Sequence, residues 1–303
     1  MLAEPRQTRI DGTTIAWTEL GSGPPLVLLH GLGDSHRTWR RVAPKLAKHF
    51  RVLMADLPGH GLSDRPDAPY TLDWYARTMH LWLDALGVET TAAVGHSYGG
   101  GVAQWMVLER PTRIDRLALV APGGLGREVM LGLRLASVPW LGSRLTQPLM
   151  EPGTHVLMRL GIGAHARIER EEIALSASMN GRPGTGRAFQ RTVAGVMGLL
   201  GQRVQTWDRI HEVAALPQLA LFWGDRDRIV PIVHGDRAQR RIGGAGFHRY
   251  PGIGHFVQLE ASEKFGDDLL GFLRATGAAT PQLLDETLLA RWRAAQSALL
   301  RPV

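Results

Sequence analysis

The sequence predicts an α/β fold, a doubly wound and mostly parallel sheet with one helical module inserted into it. Three observations predict it. Several short segments are almost continuously apolar, each runs into a turn cluster and then a helical pattern, and one interval of about 90 residues lacks strand patterning.

The apolar segments 26–29, 52–55, 92–94, 117–120 and 219–223 read as strands, with a last one at 247–250. Parallel strands covered by helices on both faces have no polar side to show, which explains their unbroken apolar character. The first five end at His30-Gly31, Asp56-Leu57-Pro58-Gly59, Gly95-His96-Ser97, Ala121-Pro122-Gly123 and Gly224-Asp225. These residue types stop a strand and permit a tight turn. Helical spacing is expected at 36–48, 72–86, 98–110, 234–241 and 261–275.

Between 121 and 218 the rhythm stops. A structureless loop of that length does not fit a compact domain, and segments 127–138, 154–160 and 166–179 have helical spacing. The division is therefore a core at 1–124 and 215–280, a helical insertion at 125–214, and a C-terminal helix at 281–303. Met130, Met150, Met158, Met179 and Met197 fall in the insertion, and flexible thioethers suit an adaptable apolar cavity. In the tail, Leu284, Leu288, Trp292, Ala295 and Leu299 fall on one helical face, which suits packing on the body.

Composition narrows the class. With 44% hydrophobic and 21% charged residues in 303, the chain has enough apolar material for a buried core, which excludes disorder. No run reaches the ~18–20 apolar residues of a membrane helix, so no integral membrane segment is expected. The opening residues MLAEPRQTRI lack the apolar block of a secretory signal, which points to the cytoplasm. Zero cysteines exclude disulfides, thiolate metal sites and a cysteine nucleophile. The net charge of +7 comes almost wholly from scattered arginines, only Lys45, Lys48 and Lys264 being lysines. Without a basic run or a recognition motif, this is a solvated surface, and no nucleic-acid partner is expected.

The chemistry centres on Gly95-His96-Ser97-Tyr98-Gly99, a G-x-S-x-G between a buried strand and a helix that begins Gly99-Gly100-Gly101. A serine on so tight a strand-to-helix turn takes a strained conformation and projects its hydroxyl clear of the sheet. Side chains at Gly95 and Gly99 would collide with neighbouring backbone. A serine hydroxyl is a weak nucleophile at neutral pH and needs a base. Of 12 histidines, His255 in Gly252-Ile253-Gly254-His255-Phe256 follows the last strand, and so lies at the carboxyl end of the sheet where the serine emerges. His30 is expected to brace its own loop, and His96 to point elsewhere on its turn.

The base needs a carboxylate to fix its tautomer. Gly224-Asp225-Arg226-Asp227 offers two; Asp227, deeper in the loop and ahead of Ile229-Val230-Pro231, is favoured, leaving Asp225 a turn-capping role. A tetrahedral oxyanion needs two donors. The amide of Tyr98 is one, and the loop His30-Gly31-Leu32-Gly33 supplies the other, assigned to Leu32 with Gly33 as the alternative.

The combination HGLGD (30–34), DLPGHGLSD (56–64), GHSYGG (95–100), GDRDRIVP (224–231) and GIGHFVQLE (252–260) resembles the α/β-hydrolase superfamily over roughly residues 10–275. The resemblance implies that 125–214 is a helical cap, that Ser97, Asp227 and His255 stand in nucleophile–acid–base order, and that Asp56, Gly59, His60, Gly61 and Ser63 form a structural loop. Relatives with aspartate at the nucleophile, the haloalkane dehalogenases and epoxide hydrolases, differ at Ser97. Serine implies acyl transfer to water. The expected enzyme is a carboxylesterase acting on small to medium apolar acyl esters, with a small-molecule substrate and no metal or organic cofactor.

A second reading rests on Pro122-Gly123-Gly124-Leu125-Gly126, which resembles carbon–carbon hydrolases of aromatic ring cleavage. Those enzymes usually carry a longer Gly/Ser-rich oxyanion loop than HGLGD. Thioesterase and lactonase activities are further alternatives. A non-catalytic binder on the same fold is disfavoured because serine, aspartate, histidine and both elbow glycines are all in place.

Overall fold

Alternation along the strands decides the layers. In β3 (Pro25–Leu29), Leu26 and Leu28 enter one core while Val27 and Leu29 enter the other, and all four are fully buried. The computed structural model describes residues 4–138, 142–163, 170–213, 215–242, 245–275 and 282–283.

In chain order, an antiparallel pair, β1 (Arg6–Ile10) and β2 (Thr13–Leu20), precedes β3. A 3₁₀ turn (His36–Trp39) and α1 (Ala43–Leu46) lead to β4 (Arg51–Ala55), then α2 (Leu72–Ala85), β5 (Thr91–His96), α3 (Tyr98–Glu109) and β6 (Ile114–Val120). Among the described residues, α4 (Leu131–Ala136), α5 (Gly142–Gly161), α6 (Arg170–Gly181) and α7 (Thr185–Val196) follow. A hairpin of β7 (Met197–Gly198) and β8 (Gly201–Gln202) comes next, then β9 (Ala215–Leu216), β10 (Gln218–Gly224), α8 (Val233–Arg241) and β11 (Gly246–Tyr250). The chain continues through α9 (Val257–Glu260) and α10 (Ser262–Arg274) to β12 (Gln282–Leu283).

The main sheet has the order β1-β2-β4-β3-β5-β6-β10-β11. Only the β1/β2 and β2/β4 pairings are antiparallel. The same alternation recurs in β4, β6 and β10: Met54, Val120 and Phe222 pack with Trp39, Leu46 and Phe265 on one face. Leu53, Leu119 and Leu221 pack with Met79 of α2 and Val102 of α3 on the other. Helix α2 buries Leu72, Tyr75, Ala76, Met79 and Leu83, the stripe its sequence spacing predicts. Helix α3 is buried from Tyr98 to Leu108, as a central helix must be.

Several details depart from the sequence expectations. The helix expected at 36–48 is a 3₁₀ turn and a separate short helix, because Pro44 opens a new helix and cannot continue an old one. The antiparallel β1–β2 pair has no counterpart among the expected strands; β1 is an edge strand, mostly solvent-facing and polar. Within the insertion, 127–138 narrows to α4, 154–160 is the end of the longer α5, and α7 has no counterpart among the expected segments. The interval also holds the β7–β8 hairpin. Gln282 and Leu283 do not begin a helix; they pair antiparallel with Leu216 and Ala215. The stripe from Leu284 to Leu299 lies outside the described residues. Among the described residues no helix is long and apolar enough to cross a membrane.

Candidate active site

Strand β5 ends at His96 and α3 begins at Tyr98, so Ser97 alone makes the turn, at φ 53° and ψ −117°. A Cβ at Gly95 would sit 2.5 Å from the Gly99 carbonyl oxygen, and one at Gly99 would overlap the carbonyls of His30 and Leu29. Glycine is therefore obligatory on both sides. The surroundings hold the strained residue. Its amide donates to the Val120 carbonyl at 2.9 Å, and its carbonyl accepts from the amides of Gly100, Gly101 and Gly123.

His255 lies in the turn after β11 and is buried. Its Nδ1 is 2.7 Å from Asp227 Oδ2, so Nδ1 carries a proton toward the carboxylate and Nε2 is left as the acceptor of the neutral ring. The other Asp227 oxygen accepts from the amides of Ile229 (2.8 Å) and Val230 (2.9 Å). Asp225 instead caps the neighbouring turn, accepting from the Gly252 amide at 2.7 Å.

Asp227 and His255 are thus joined directly. No hydrogen bond joins the Ser97 hydroxyl to His255 among the described residues; the residue before Ser97, His96, lies against His255. The His96 ring lies 4.8 Å from that of His255, and its Nε2 donates to the His255 carbonyl at 3.1 Å. Burial, and then the neighbouring imidazole, hold the His96 pKa well below the usual histidine range, so it stays neutral. Its Nε2 is thus engaged by the His255 carbonyl.

The loop after β3 is braced as expected. Leu57 donates its amide to His30 Nε2 (2.9 Å), which leaves the proton on Nδ1 to bond the Gly31 carbonyl (2.8 Å). From α6, the buried Asn180 donates to the Gly33 carbonyl. The amides of Leu32 and Tyr98 donate to no acceptor among the described residues. Tyr98 opens α3, where backbone donors are unpaired by construction.

Ser97, Leu32 and Tyr98 line one cavity of about 40 Å³, with Val129, Leu133, Val196, Met197 and Val204 contributed by the 125–214 segment. Gln202 also lines it, and its Oε1 accepts from the Gly124 amide at 2.8 Å. Gln104 binds the carbonyls of Gly100 and Gly123, both at 2.9 Å, so the elbow and the loop after β6 move together. Among the described residues, no group of three His, Asp or Glu side chains is placed to hold a metal ion.

Glu260 completes the frame. Its carboxylate accepts from the amides of Gly163 (2.7 Å), Gly254 (3.0 Å) and Phe256 (3.1 Å). Burial raises its pKa against those three bonds. Sequence reasoning missed Asn180, Gln104, Gln202 and Glu260. Each is a lone polar residue whose partners lie in other segments, and no local pattern marks it.

The profile of the family described as alpha/beta hydrolase fold matches residues 24–262. An uncharacterised protein of Mycobacterium tuberculosis is 34% identical over 278 residues, covering 89% of this chain and 81% of that one. The 2-hydroxy-6-oxo-6-phenylhexa-2,4-dienoate hydrolase of Comamonas testosteroni is 28% identical over 276 residues, covering 86% and 91%. Among solved structures, an alpha/beta hydrolase fold protein from Burkholderia ambifaria superposes with a TM-score of 0.79 at 26% identity, covering 89% and 98%.

Proposed function

The chain belongs to the α/β-hydrolase fold family, and from that premise we propose that it hydrolyses a carboxylic ester with an apolar acyl group through a covalent acyl-enzyme. Ser97 is the nucleophile, His255 the base and Asp227 the acid. The amides of Leu32 and Tyr98 form the oxyanion hole, and the 125–214 segment caps the site. The observation that carries this reading is the strained Ser97 facing an apolar cavity, beside two amide donors that have no acceptor among the described residues.

In the mechanism, Ser97 Oγ attacks the acyl carbon while its proton passes to His255 Nε2. The imidazolium is held by Asp227. The carbonyl π electrons move onto oxygen, where the two amides receive the charge; losing one such donor typically costs ~3–4 kcal/mol. Collapse expels the alkoxide, which takes the proton from His255. A water then gives its proton to His255 and attacks the acyl carbon; Ser97 leaves with that proton and the acid is released.

Carbon–carbon bond hydrolysis is the second reading. The 28% identity to the Comamonas enzyme and the segment Pro122-Gly123-Gly124-Leu125-Gly126 favour it. A fluorophosphonate probe together with a panel of p-nitrophenyl esters and one ring-cleavage diketone separates the readings. We expect labelling and ester turnover that the Ser97→Ala protein loses while its circular dichroism is unchanged. Turnover of the diketone alone would favour the second reading, and undiminished ester turnover in Ser97→Ala would overturn the assignment of Ser97.

A further inference from the structure

A second and larger depression, about 480 Å³, lies between α4, α5 and α7, with Met130, Leu149, Met150, Leu157 and Phe189 among its walls. It adjoins the Ser97 cavity at two points. Leu133 lines both, and Gly33 at the end of the groove follows Leu32, which lines the Ser97 cavity.

The chemistry of the groove is hydrocarbon. Two threonines line it, Thr146 and Thr154, and the Thr154 hydroxyl already donates to the Met150 carbonyl and accepts from Asn180. A ligand rich in carboxylates or hydroxyls would lose water here without replacement. The walls are also unusually wet for apolar residues: Leu149 is 60% and Val156 57% exposed. An alkyl chain laid along them removes that surface from water, strengthening binding by a factor of ~4 per methylene. The two methionines adapt their shape to a chain of variable length.

We propose that this groove is an acyl channel for an unbranched, medium-to-long aliphatic chain whose carboxyl carbon sits at Ser97. The proposal rests on the serine-hydrolase reading for its carboxyl end, and it extends the acyl group beyond the small-to-medium range that the sequence suggested. The Leu32–Gly33 loop and Leu133 form the passage by which the chain leaves the Ser97 cavity.

The test uses Gly153, a groove-lining position of α5 at which an added Cβ meets nothing within 4 Å. Gly153→Trp places an indole in the channel without a backbone clash; Leu200→Trp, on the hairpin tip and 86% exposed, is the matched control. The readouts are the ratio of kcat/KM for p-nitrophenyl dodecanoate over butyrate, and calorimetric binding of dodecanoate to each protein. We expect the ratio to fall at least tenfold and dodecanoate binding to be lost in Gly153→Trp but not in Leu200→Trp. If butyrate is cleaved, dodecanoate does not bind, and the ratio is the same in all three proteins, the channel is refuted and the hydrolase reading stands. If no ester is cleaved yet dodecanoate binds and Gly153→Trp abolishes it, the channel stands and the hydrolase reading falls. If Gly153→Trp does not fold, calorimetry on the unaltered chain decides: dodecanoate binding with no binding of butyrate supports the channel, and absence of dodecanoate binding overturns it.

Discussion

The amide of His255 donates to the carbonyl of Gly161 across 2.7 Å, so the proposed base is tied through its backbone to the last residue of α5. Two residues on, Gly163 donates to Glu260, which also holds Gly254 and Phe256 on either side of His255. The insertion and the histidine turn are therefore one hydrogen-bonded unit. A Cβ at Gly161 would press on the Phe256 ring at 2.7 Å, which is why the junction is glycine.

Glu260→Ala leaves three amides without their acceptor. An unsatisfied buried donor costs ~1–3 kcal/mol, so we expect a stability loss of about 2–4 kcal/mol after partial rehydration. Because the His255 turn loosens, kcat should fall about tenfold in protein that is still folded. Urea denaturation and steady-state kinetics check both. An unchanged kcat with lowered stability would make Glu260 purely a structural anchor.

Asp227→Asn tests the tautomer. An asparagine carbonyl can still accept from Ile229 and Val230, so the loop should survive. Its amide donates to Nδ1 and forces the proton onto Nε2, the wrong nitrogen for accepting from serine. A loss in kcat of about 10⁴-fold is expected, with little change in melting temperature. Asp225→Asn should lower kcat by less than about threefold, since Asp225 caps Gly252 and does not touch His255.

Stability should fall on mild acidification. Burial pushes His60 down to about 3 and His80 to about 4, and lowers His30 and His96 as well. Their unfolded value is ~6.5. Above that pH both states are neutral and these groups contribute no slope. As pH falls through it, the unfolded chain takes up protons that the fold refuses, costing ~1.4 kcal/mol per pH unit per histidine until the folded pKa is reached. Glu128, where desolvation is outweighed by a backbone hydrogen bond and by bonds to Arg237 and His234 that hold it at about 2, acts only in a lower window, below the unfolded carboxylate pKa. Urea midpoints should thus be level above pH 7 and decline from about 6.5 downward, with His60→Gln showing a shallower decline. An identical slope in His60→Gln would remove His60 from the account.

Much of this protein was legible in one dimension. The strands at 26–29, 52–55 and 219–223 announce themselves because burial on both faces leaves no polar positions, a property each segment carries alone. The elbow is equally local: the strain at Ser97 and the crowding at Gly95 and Gly99 arise among residues close in the chain, plus one neighbouring strand. β1 was illegible because an edge strand needs only one apolar side, β2 because buried threonines, Thr13 and Thr18, interrupt its apolar run, and Pro44 divided a continuous helical spacing.

The sequence by itself determined the fold family, the order of its elements and the residue types available to the site. Periodicity and turn sterics act over a few residues, so they can be read without coordinates. Only the tertiary structure decided that Asp227 and not Asp225 meets the His255 ring, that His96 lies against that ring, and that Asn180 and Glu260 anchor the two loops beside Ser97. Those choices depend on hydrogen bonds between residues tens to hundreds of positions apart, whose distances are set by strand order and helix packing. The groove between α4, α5 and α7 is of the same kind: its shape belongs to the packing of three helices and to no segment of the chain.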